Sequence, residues 1–235
     1  MPFLLAALLA GIAAAADFER DVIPTSAGDV AVTFIGHGTL MLEFSGKIIH
    51  VDPWSSLADY TTLPRADLVL LTHHHIDHLD SLALRLVRRP DTMVIGTELC
   101  AQAVSGVTVM RNGDTAEALG ATIEAVPAYN LTPPGRGQVH PKGRCNGYIL
   151  TIGDTRVYLV SETQNIPELA MVRDIDIAFI AMDGVFNMTP AEAAEAVKVI
   201  HPKVVYPYHY GSSDLSPFTH ALEGSGIEVR IRKMK

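Results

Sequence analysis

The stretch Thr72-His73-His74-His75-Ile76-Asp77-His78 decides the fold and the chemistry predicted for this chain. The apolar run from Ala66 to Thr72 has the length of a strand, so the histidines are predicted to lie on a loop at a strand end. Imidazole and carboxylate groups at this density are typical of a metal site. The competing interpretation is a solvated histidine-rich surface loop or a fortuitous metal-binding tract.

The spacing within this stretch predicts two neighbouring metal positions. His73 and His75 can project to one side of the loop, whereas Asp77 and His78 can face a second position a few ångströms away. Imidazole and carboxylate donors favour zinc, with manganese or iron as alternatives. The predicted cofactor is therefore one or two zinc ions.

The histidine stretch is flanked by runs that read as strands and helices. Three consecutive strands are predicted to open the domain, over Val30 to Ile35, Thr39 to Phe44 and Lys47 to Asp52. Apolar residues at helical spacing then predict a helix from Leu79 to Arg89, ended by Pro90. Further strands are predicted over residues 93–95, 107–110, 122–126, 147–151, 155–160, 176–182 and 203–206.

The clearest helix signal is Thr189-Pro190-Ala191-Glu192, which combines an N-cap threonine, a proline at the first helical position and a glutamate at the third. It predicts a helix over residues 190–200. Strands followed by helices in each half predict two sheets packed together, with helices outside and the site at an edge where loops gather.

The histidine stretch resembles the HxHxDH signature of the metallo-β-lactamase superfamily, and the resemblance extends over about residues 30 to 235. Other segments are similar to the branch of ascorbate-6-phosphate lactonase and N-acyl phosphatidylethanolamine phospholipase D, namely Gly36-His37-Gly38-Thr39, Val51-Asp52-Pro53, Pro127-Ala128-Tyr129-Asn130, His140-Pro141-Lys142-Gly143 and Tyr206-Pro207-Tyr208-His209-Tyr210. The resemblance implies an α/β (α+β) fold, a four-layer αββα sandwich. It also implies a hydrolase that uses a metal-bound hydroxide on an ester, lactone, amide or phosphodiester.

The resemblance also implies roles for individual residues. His73 and His75 match ligands of the first metal, while Asp77 and His78 match the second metal's ligand and its neighbouring histidine. His209, after the last predicted strand, matches the final ligand. Asp77 is in addition the residue expected to take part in catalysis.

Two positions depart from the family pattern. The family usually has a third histidine for the first metal where this chain has Tyr129-Asn130, and His140 is the nearest candidate to replace it, although it could be an ordinary loop histidine. The family's bridging aspartate is replaced by Glu162. This longer carboxylate could bridge both metals, bind one of them, or leave a mononuclear centre.

Asp52 and His37 are expected to contact the metal ligands without binding metal themselves. Asp52 resembles a family residue that stabilises the metal site, and a hydrogen bond to a ligand histidine is the predicted contact, although Asp-Pro could simply turn the chain. His37, between two glycines, either lines the cleft or is a loop histidine without a metal role. The role of Asp183 stays open, and no ligand role is predicted for His50, His74, His201 and His220.

Composition limits the remaining choices. A chain of 235 residues with 48% hydrophobic and 19% charged residues predicts one globular domain. The net charge of −8, without a basic block, argues against nucleic acid as a partner but does not select the substrate. A small-molecule substrate is what the resemblance to metal-dependent hydrolases implies. Cys100 and Cys145 match no metal or redox motif and are predicted to be buried free thiols rather than a disulfide. Oligomeric state has no signal in the sequence.

Residues 1–16 are apolar and uncharged and end in Ala14-Ala15-Ala16, which predicts a signal peptide cleaved after Ala16 and a single domain over residues 17–235. A periplasmic or secreted protein without a stable membrane anchor follows. The segment lacks a basic start, so an ordinary apolar N-terminus, and with it a cytoplasmic protein, is the alternative.

Two other functions compete with hydrolysis. The chain could bind metal in this fold without hydrolytic activity, because Glu162 and Asn130 both alter the usual set of ligands. A di-iron oxidoreductase is the other alternative, but the chain lacks a glycine-rich dinucleotide motif to support it. The loops from Trp54 to Pro64 and from Leu131 to Arg144 are expected to set substrate specificity.

Overall fold

A computed structural model describes residues 18–131 and 139–235 of the chain. They form two seven-stranded sheets with helices on the outer faces, which confirms the predicted four-layer αββα arrangement. The first sheet contains, in spatial order, β1 (Glu19–Ile23), β2 (Val30–Gly36), β3 (Thr39–Phe44), β4 (Lys47–Val51), β5 (Leu68–Leu70), β6 (Met93–Gly96) and β7 (Val107–Val109). Its first four strands are antiparallel, and β4 to β7 are parallel.

The second sheet contains β8 (Thr115–Ala118), β9 (Ala121–Ala128), β10 (Cys145–Ile152), β11 (Thr155–Leu159), β12 (Ile177–Ala181), β13 (Val204–Tyr208) and β14 (Glu228–Val229). Strands β8 to β11 are antiparallel, and β11 to β14 are parallel. Each sheet therefore has a parallel half. The carboxyl ends of parallel strands lie at one edge of a sheet, and this places the loops after β5, β11, β12 and β13 where a shared site can form.

Alternation of side chains divides the interior into two apolar layers. Leu68 and Leu70 of β5 face the core between the sheets, while Val69 and Leu71 pack with the helices on the outer face. This period of two is the geometry of an extended strand covered on both faces. The apolar run was thus correctly predicted as a buried strand, although regular pairing ends at Leu70.

Helices α1 (Ser81–Val87) and α2 (Glu98–Ala103) cover the first sheet, and α3 (Pro190–Ile200) and α4 (Ser216–Leu222) cover the second. The helix predicted over residues 190–200 is confirmed with its capping box, in which Thr189 and Glu192 exchange hydrogen bonds. Helix α1 begins two residues later than predicted because the Asp80 carboxylate caps it by accepting from the backbone N–H groups of Leu82 and Ala83.

The prediction that three strands open the domain was wrong. Strand β1 comes before them and pairs antiparallel with β2, with Ile23 opposite Val30. Its sequence, Glu19-Arg20-Asp21-Val22-Ile23, is polar because it is an edge strand, and it is held partly by the ion pair of Asp21 with Arg232. The elements α2, β8, α4, β14 and a 3-10 turn over Pro167–Met171 were also not predicted.

The segment Met1 to Ala16, interpreted above as a signal peptide, lies outside the residues that the structure describes, as does most of the predicted loop from Leu131 to Gly143. Within the described part of the chain, none of the helices has the length and apolar character needed to cross a membrane. Cys100 and Cys145 are both buried free thiols, as predicted.

Candidate metal centre

Loops from both sheets bring the predicted ligands to one edge of the sandwich. The histidine stretch follows β5, Glu162 follows β11, and His209 follows β13. His140 comes shortly before β10, and His37 lies in the tight turn between β2 and β3. The side chains of these loops form two adjacent groups of donor atoms, and Asp183 completes a third, overlapping set with Glu162 and His209.

The first group contains His73, His75, His140 and Glu162, each with one donor atom within 4.8 Å of those of the others. The Nε2 atom of His73 lies 3.0 Å from Nδ1 of His75. The Oε2 atom of Glu162 lies 2.5 Å from Nε2 of His140 and 3.8 Å from Nε2 of His73. Three of the four side chains are buried, with His75 partly exposed at the mouth.

The second group contains His37, Asp77, His78 and His209, whose donor atoms also lie within 4.8 Å of one another. The Oδ2 atom of Asp77 lies 3.1 Å from Nε2 of His37, 3.7 Å from Nε2 of His78 and 3.8 Å from Nε2 of His209. Burial alone would raise the pKa of Asp77, but contacts with His209 and His37 hold it far below its usual range.

Glu162 lies between the two groups and contacts both. Its Oε2 atom belongs to the first group, while its Oε1 atom lies 3.5 Å from Nε2 of His78 and in direct contact with Nε2 of His209. Burial would raise the pKa of Glu162, yet the neighbouring histidines lower it well below its usual range, so the carboxylate is ionised.

His140 is held by Asn130, the residue at which the resemblance led us to expect a histidine. Asn130 Oδ1 accepts a hydrogen bond from the backbone N–H of His140 at 2.9 Å and lies 3.0 Å from its Nδ1 atom. A carboxamide oxygen can only accept, so Nδ1 of His140 carries a proton. Nε2, which faces Glu162, is therefore the ring nitrogen that is available to a metal ion.

Asp52 lies beside the second group, and the structure contains the hydrogen bond predicted between its carboxylate and a histidine of the stretch 73–78. Its Oδ2 atom accepts from Nδ1 of His78 at 2.8 Å, and its Oδ1 atom accepts from the backbone N–H of Thr72 at 2.8 Å. Burial lowers the pKa of His78, but the Asp52 and Glu162 carboxylates outweigh it and raise that pKa well above its usual value. Asp52 therefore fixes the orientation of His78 and ties it to the loop that carries His73.

The turn that carries His37 packs closely against His78 and His209. A Cβ atom on Gly38 would lie 2.8 Å from Cε1 of His78, so only glycine fits there without movement. The His37 backbone carbonyl accepts from the N–H of His209 at 3.0 Å, and the two rings lie 3.6 Å apart between centroids. Residue spacing gave no indication that His37 would lie this close to Asp77.

The backbone is left-handed at several residues of the centre. Positive φ angles occur at His37 (51°), Asp52 (43°), Ser161 (65°) and His209 (49°). Non-glycine residues adopt this region at a cost of roughly 1–3 kcal/mol, and such residues concentrate at functional sites. The surrounding fold therefore stabilises, at the candidate metal centre, backbone conformations that are unfavourable for these residues by themselves.

The donor set fits divalent metal ions. The Nε2 atoms of His78, His140 and His209 are buried and have no hydrogen-bond partner among the described residues, although Glu162 lies in ion-pair range. Burial holds the pKa of His73 well below its usual value, so this imidazole is neutral and able to bind a cation. Imidazoles and ionised carboxylates around one space are the ligands that zinc and iron prefer.

The four histidines without a predicted ligand role lie outside both groups. His74, His201 and His220 are exposed, and His50 is buried with its Nε2 atom 2.9 Å from the carbonyl oxygen of Pro64. Asp183, whose role was open, turns the chain: its Oδ1 atom accepts from the backbone N–H groups of Val185 and Phe186. Its Oδ2 atom lies 3.7 Å from Nδ1 of His209.

Comparison with known proteins places this geometry in a family. The family model described as a β-lactamase superfamily domain matches residues 31–209. A UPF0173 metal-dependent hydrolase of Pyrococcus horikoshii is 30% identical over 223 residues, which cover 87% of this chain and 96% of the relative. One from Methanopyrus kandleri is 29% identical over 218 residues, covering 85% and 94%.

Solved structures of similar proteins have the same fold. A protein described as a metal-dependent hydrolase from Parabacteroides distasonis superposes with a TM-score of 0.90 at 45% identity, over 93% of this chain and 100% of the other. The metallo hydrolase Igni18 of Ignicoccus hospitalis gives a TM-score of 0.72 at 26% identity, over 87% and 95%. A di-iron β-hydroxylase from Streptomyces venezuelae shares the fold at 19% identity and a TM-score of 0.68, over 89% of this chain and 54% of its own length.

Proposed function

The chain belongs to the metallo-β-lactamase superfamily, and we propose that it is a metal-dependent hydrolase with a centre for two divalent ions. The observation that carries this proposal is the position of Glu162, whose two carboxylate oxygens contact different groups of histidines. Zinc is the expected metal, with manganese or iron as alternatives, because the donors are imidazoles and carboxylates.

Each group supplies one set of ligands in this proposal. His73, His75 and His140 hold the first ion, and Asp77, His78 and His209 hold the second. Glu162 joins the two sets, because one of its oxygens lies in each group. Its stem is one methylene longer than that of the aspartate usual in the family, and the short contacts at both ends support a bridge rather than a single bond.

When bound, the ions would lower the pKa of a water molecule and polarise the oxygen of a scissile ester, lactone, amide or phosphodiester group. Asp77 is the group of the centre best placed to orient that water, because its side chain is 29% exposed whereas that of Glu162 is 4% exposed. His37 lies 3.1 Å from Asp77 Oδ2 and fixes the rotation of this carboxylate.

The chain's thiols are poorly suited to act as nucleophiles. Cys100 and Cys145 are both buried, and burial raises the pKa of each thiol above its usual value. Hydrolysis by direct attack of water is therefore the reaction that this site supports best, with a small molecule as the substrate.

The experiment is reconstitution of metal-free protein with zinc, manganese or iron while hydrolysis of p-nitrophenyl acetate, a γ-lactone and bis(p-nitrophenyl) phosphate is followed. Hydrolysis that saturates at two equivalents of one metal supports the proposal. Tight binding of metal without turnover of any of these substrates would favour a metal-binding protein that has lost hydrolysis, the alternative suggested by Glu162 and Asn130.

Export to the periplasm or medium is a separate proposal, supported by the apolar, uncharged segment Met1 to Ala16. N-terminal sequencing of the protein from its native host tests it. A chain that begins at Asp17 supports export, and a chain that retains the first sixteen residues contradicts it.

A further inference from the structure

Large apolar side chains are exposed around the metal centre. Ile76 is 78% exposed, Val185 69% and Phe186 50%. Trp54, which is partly buried, lies against His37 with 5.1 Å between the ring centroids. We name these four residues the apolar collar.

The loop that carries Val185 and Phe186 is anchored to both groups of ligands. Asp183 Oδ1 accepts from the backbone N–H groups of Val185 and Phe186 at 2.7 and 2.9 Å, and Asp183 Oδ2 lies 3.7 Å from His209 in the second group. The carbonyl oxygen of Phe186 accepts from Nδ2 of Asn130, the residue that orients His140 in the first group. This loop therefore runs along both metal positions.

The other two collar residues lie beside the same ligands. Ile76 lies in the chain between His75 of the first group and Asp77 of the second. Trp54 contacts His37, the hydrogen-bond partner of Asp77. The exposed apolar surface thus adjoins the centre on several loops that come from both sheets.

Isolated exposed apolar side chains are normal on a protein surface and carry no meaning by themselves. Here backbone hydrogen bonds hold Val185 and Phe186 beside the ligands, and Ile76 is flanked in the chain by His75 and Asp77. Sites for small molecules combine apolar walls with a few placed polar groups, and the collar with the metal ligands has this composition.

We propose that the apolar collar binds an alkyl or acyl chain of the substrate, next to the bond that is cleaved. This inference rests on the proposed hydrolase function and names its substrate class: an amphiphilic small molecule with its polar reactive group at the metals and its apolar part on Ile76, Val185 and Phe186. Trp54 adds an aromatic ring beside His37 of the second group.

The experiment measures binding of methyl-, butyl- and octylphosphonate to the zinc-loaded protein by titration calorimetry. The phosphonate group is common to all three, so differences report the chain alone. Each methylene group of the chain should be covered by the collar on one side only. Binding is therefore expected to strengthen about twofold for each methylene group added.

The test variants are Val185→Ser and Ile76→Ser, and the matched control is Val199→Ser. Val199 is also exposed (42%), but it lies on α3 beside Asp154 and Lys203, at the opposite edge of the second sheet. Binding of methylphosphonate is expected to be equal in the native protein and in the control Val199→Ser. The gain from methyl to octyl should fall severalfold in the collar variants and stay unchanged in the control.

Two other results overturn the inference, and they are distinguishable. If methylphosphonate and octylphosphonate bind the native protein equally, the collar has no part in substrate binding while the metal centre stands. If no phosphonate binds the zinc-loaded protein, the proposed hydrolytic centre fails and the collar's role fails with it.

Discussion

The Nδ1 atom of His140 lies 3.0 Å from the Oδ1 atom of Asn130. The same oxygen accepts the backbone N–H of His140, and the backbone N–H of Asn130 donates to the carbonyl oxygen of His140 at 2.8 Å. Asparagine thus orients a histidine ten residues later in the chain. Asn130 therefore holds the His140 ring within the first group of donor atoms, where we propose that it binds metal.

Replacement Asn130→Ala is expected to weaken binding of the first metal. Loss of the acceptor frees the His140 ring to rotate and to change tautomer, and removal of such supporting hydrogen bonds typically costs 10–100-fold in metal affinity. Competition with a chromophoric chelator measures the effect. The control His74→Ala changes an exposed histidine of the same loop cluster and should leave affinity unchanged, and equal affinities in native and Asn130→Ala protein would contradict the assignment.

Replacement His37→Ala is expected to affect the second metal selectively. Without its contact at 3.1 Å, Asp77 can rotate away from His78 and His209, so the weaker of two zinc-binding steps should lose about tenfold in affinity. Calorimetric titration of metal-free protein resolves the two steps. A loss of affinity confined to the tighter step, or equal in both steps, would show that His37 does not act through Asp77.

Replacement Gly38→Ala is expected to lower activity while the fold is retained. The new Cβ atom would approach Cε1 of His78 to 2.8 Å, so the ring must move by several tenths of an ångström, although the backbone at residue 38 is not left-handed. We expect a loss of about tenfold or more in kcat/KM with an almost unchanged circular dichroism spectrum. Full activity in this variant would mean that His78 tolerates displacement.

Buried His50 predicts a loss of stability in acid. Burial lowers its pKa to about 4 in the folded protein, against about 6.5 in an unfolded chain, and its hydrogen bond to Pro64 offsets this only in part. Between pH 6.5 and 4 the unfolded chain takes up a proton on His50 that the folded protein does not, so about 3 kcal/mol of stability is lost as the pH falls through this range.

Urea unfolding of metal-free native protein and of His50→Leu, at pH 8 and at pH 4.5, tests this. The native protein should lose more free energy of unfolding on acidification than the variant does, because the leucine does not titrate. Equal losses in the two proteins would show that His50 is protonated without cost in the folded state.

The sequence predicted the parts of this protein that are encoded locally. The buried β5 run, the capping box of α3 and the cluster from His73 to His78 depend on neighbouring residues, and the structure confirms the elements that carry them. Strand β1 was missed because an edge strand needs no apolar alternation. Helices α2 and α4, of six and seven residues, are too short for a clear helical period.

The candidate site was harder to predict because its members come from distant loops. His140 and Glu162 were named as candidate ligands only because of the family resemblance. Their contact of 2.5 Å depends on the pairing of β9, β10 and β11. The closeness of His37 to Asp77 depends on the left-handed turn after β2 and on the contact of that turn with His209. Such tertiary contacts leave no periodic signal in the chain.

Metal stoichiometry tests the central claim most directly. Elemental mass spectrometry of the purified protein should find about two divalent ions per native chain and about one in Glu162→Ala and in His140→Ala, with zinc as the expected element. A native chain that holds one ion or none, with no change in either variant, would contradict a dinuclear centre bridged by Glu162.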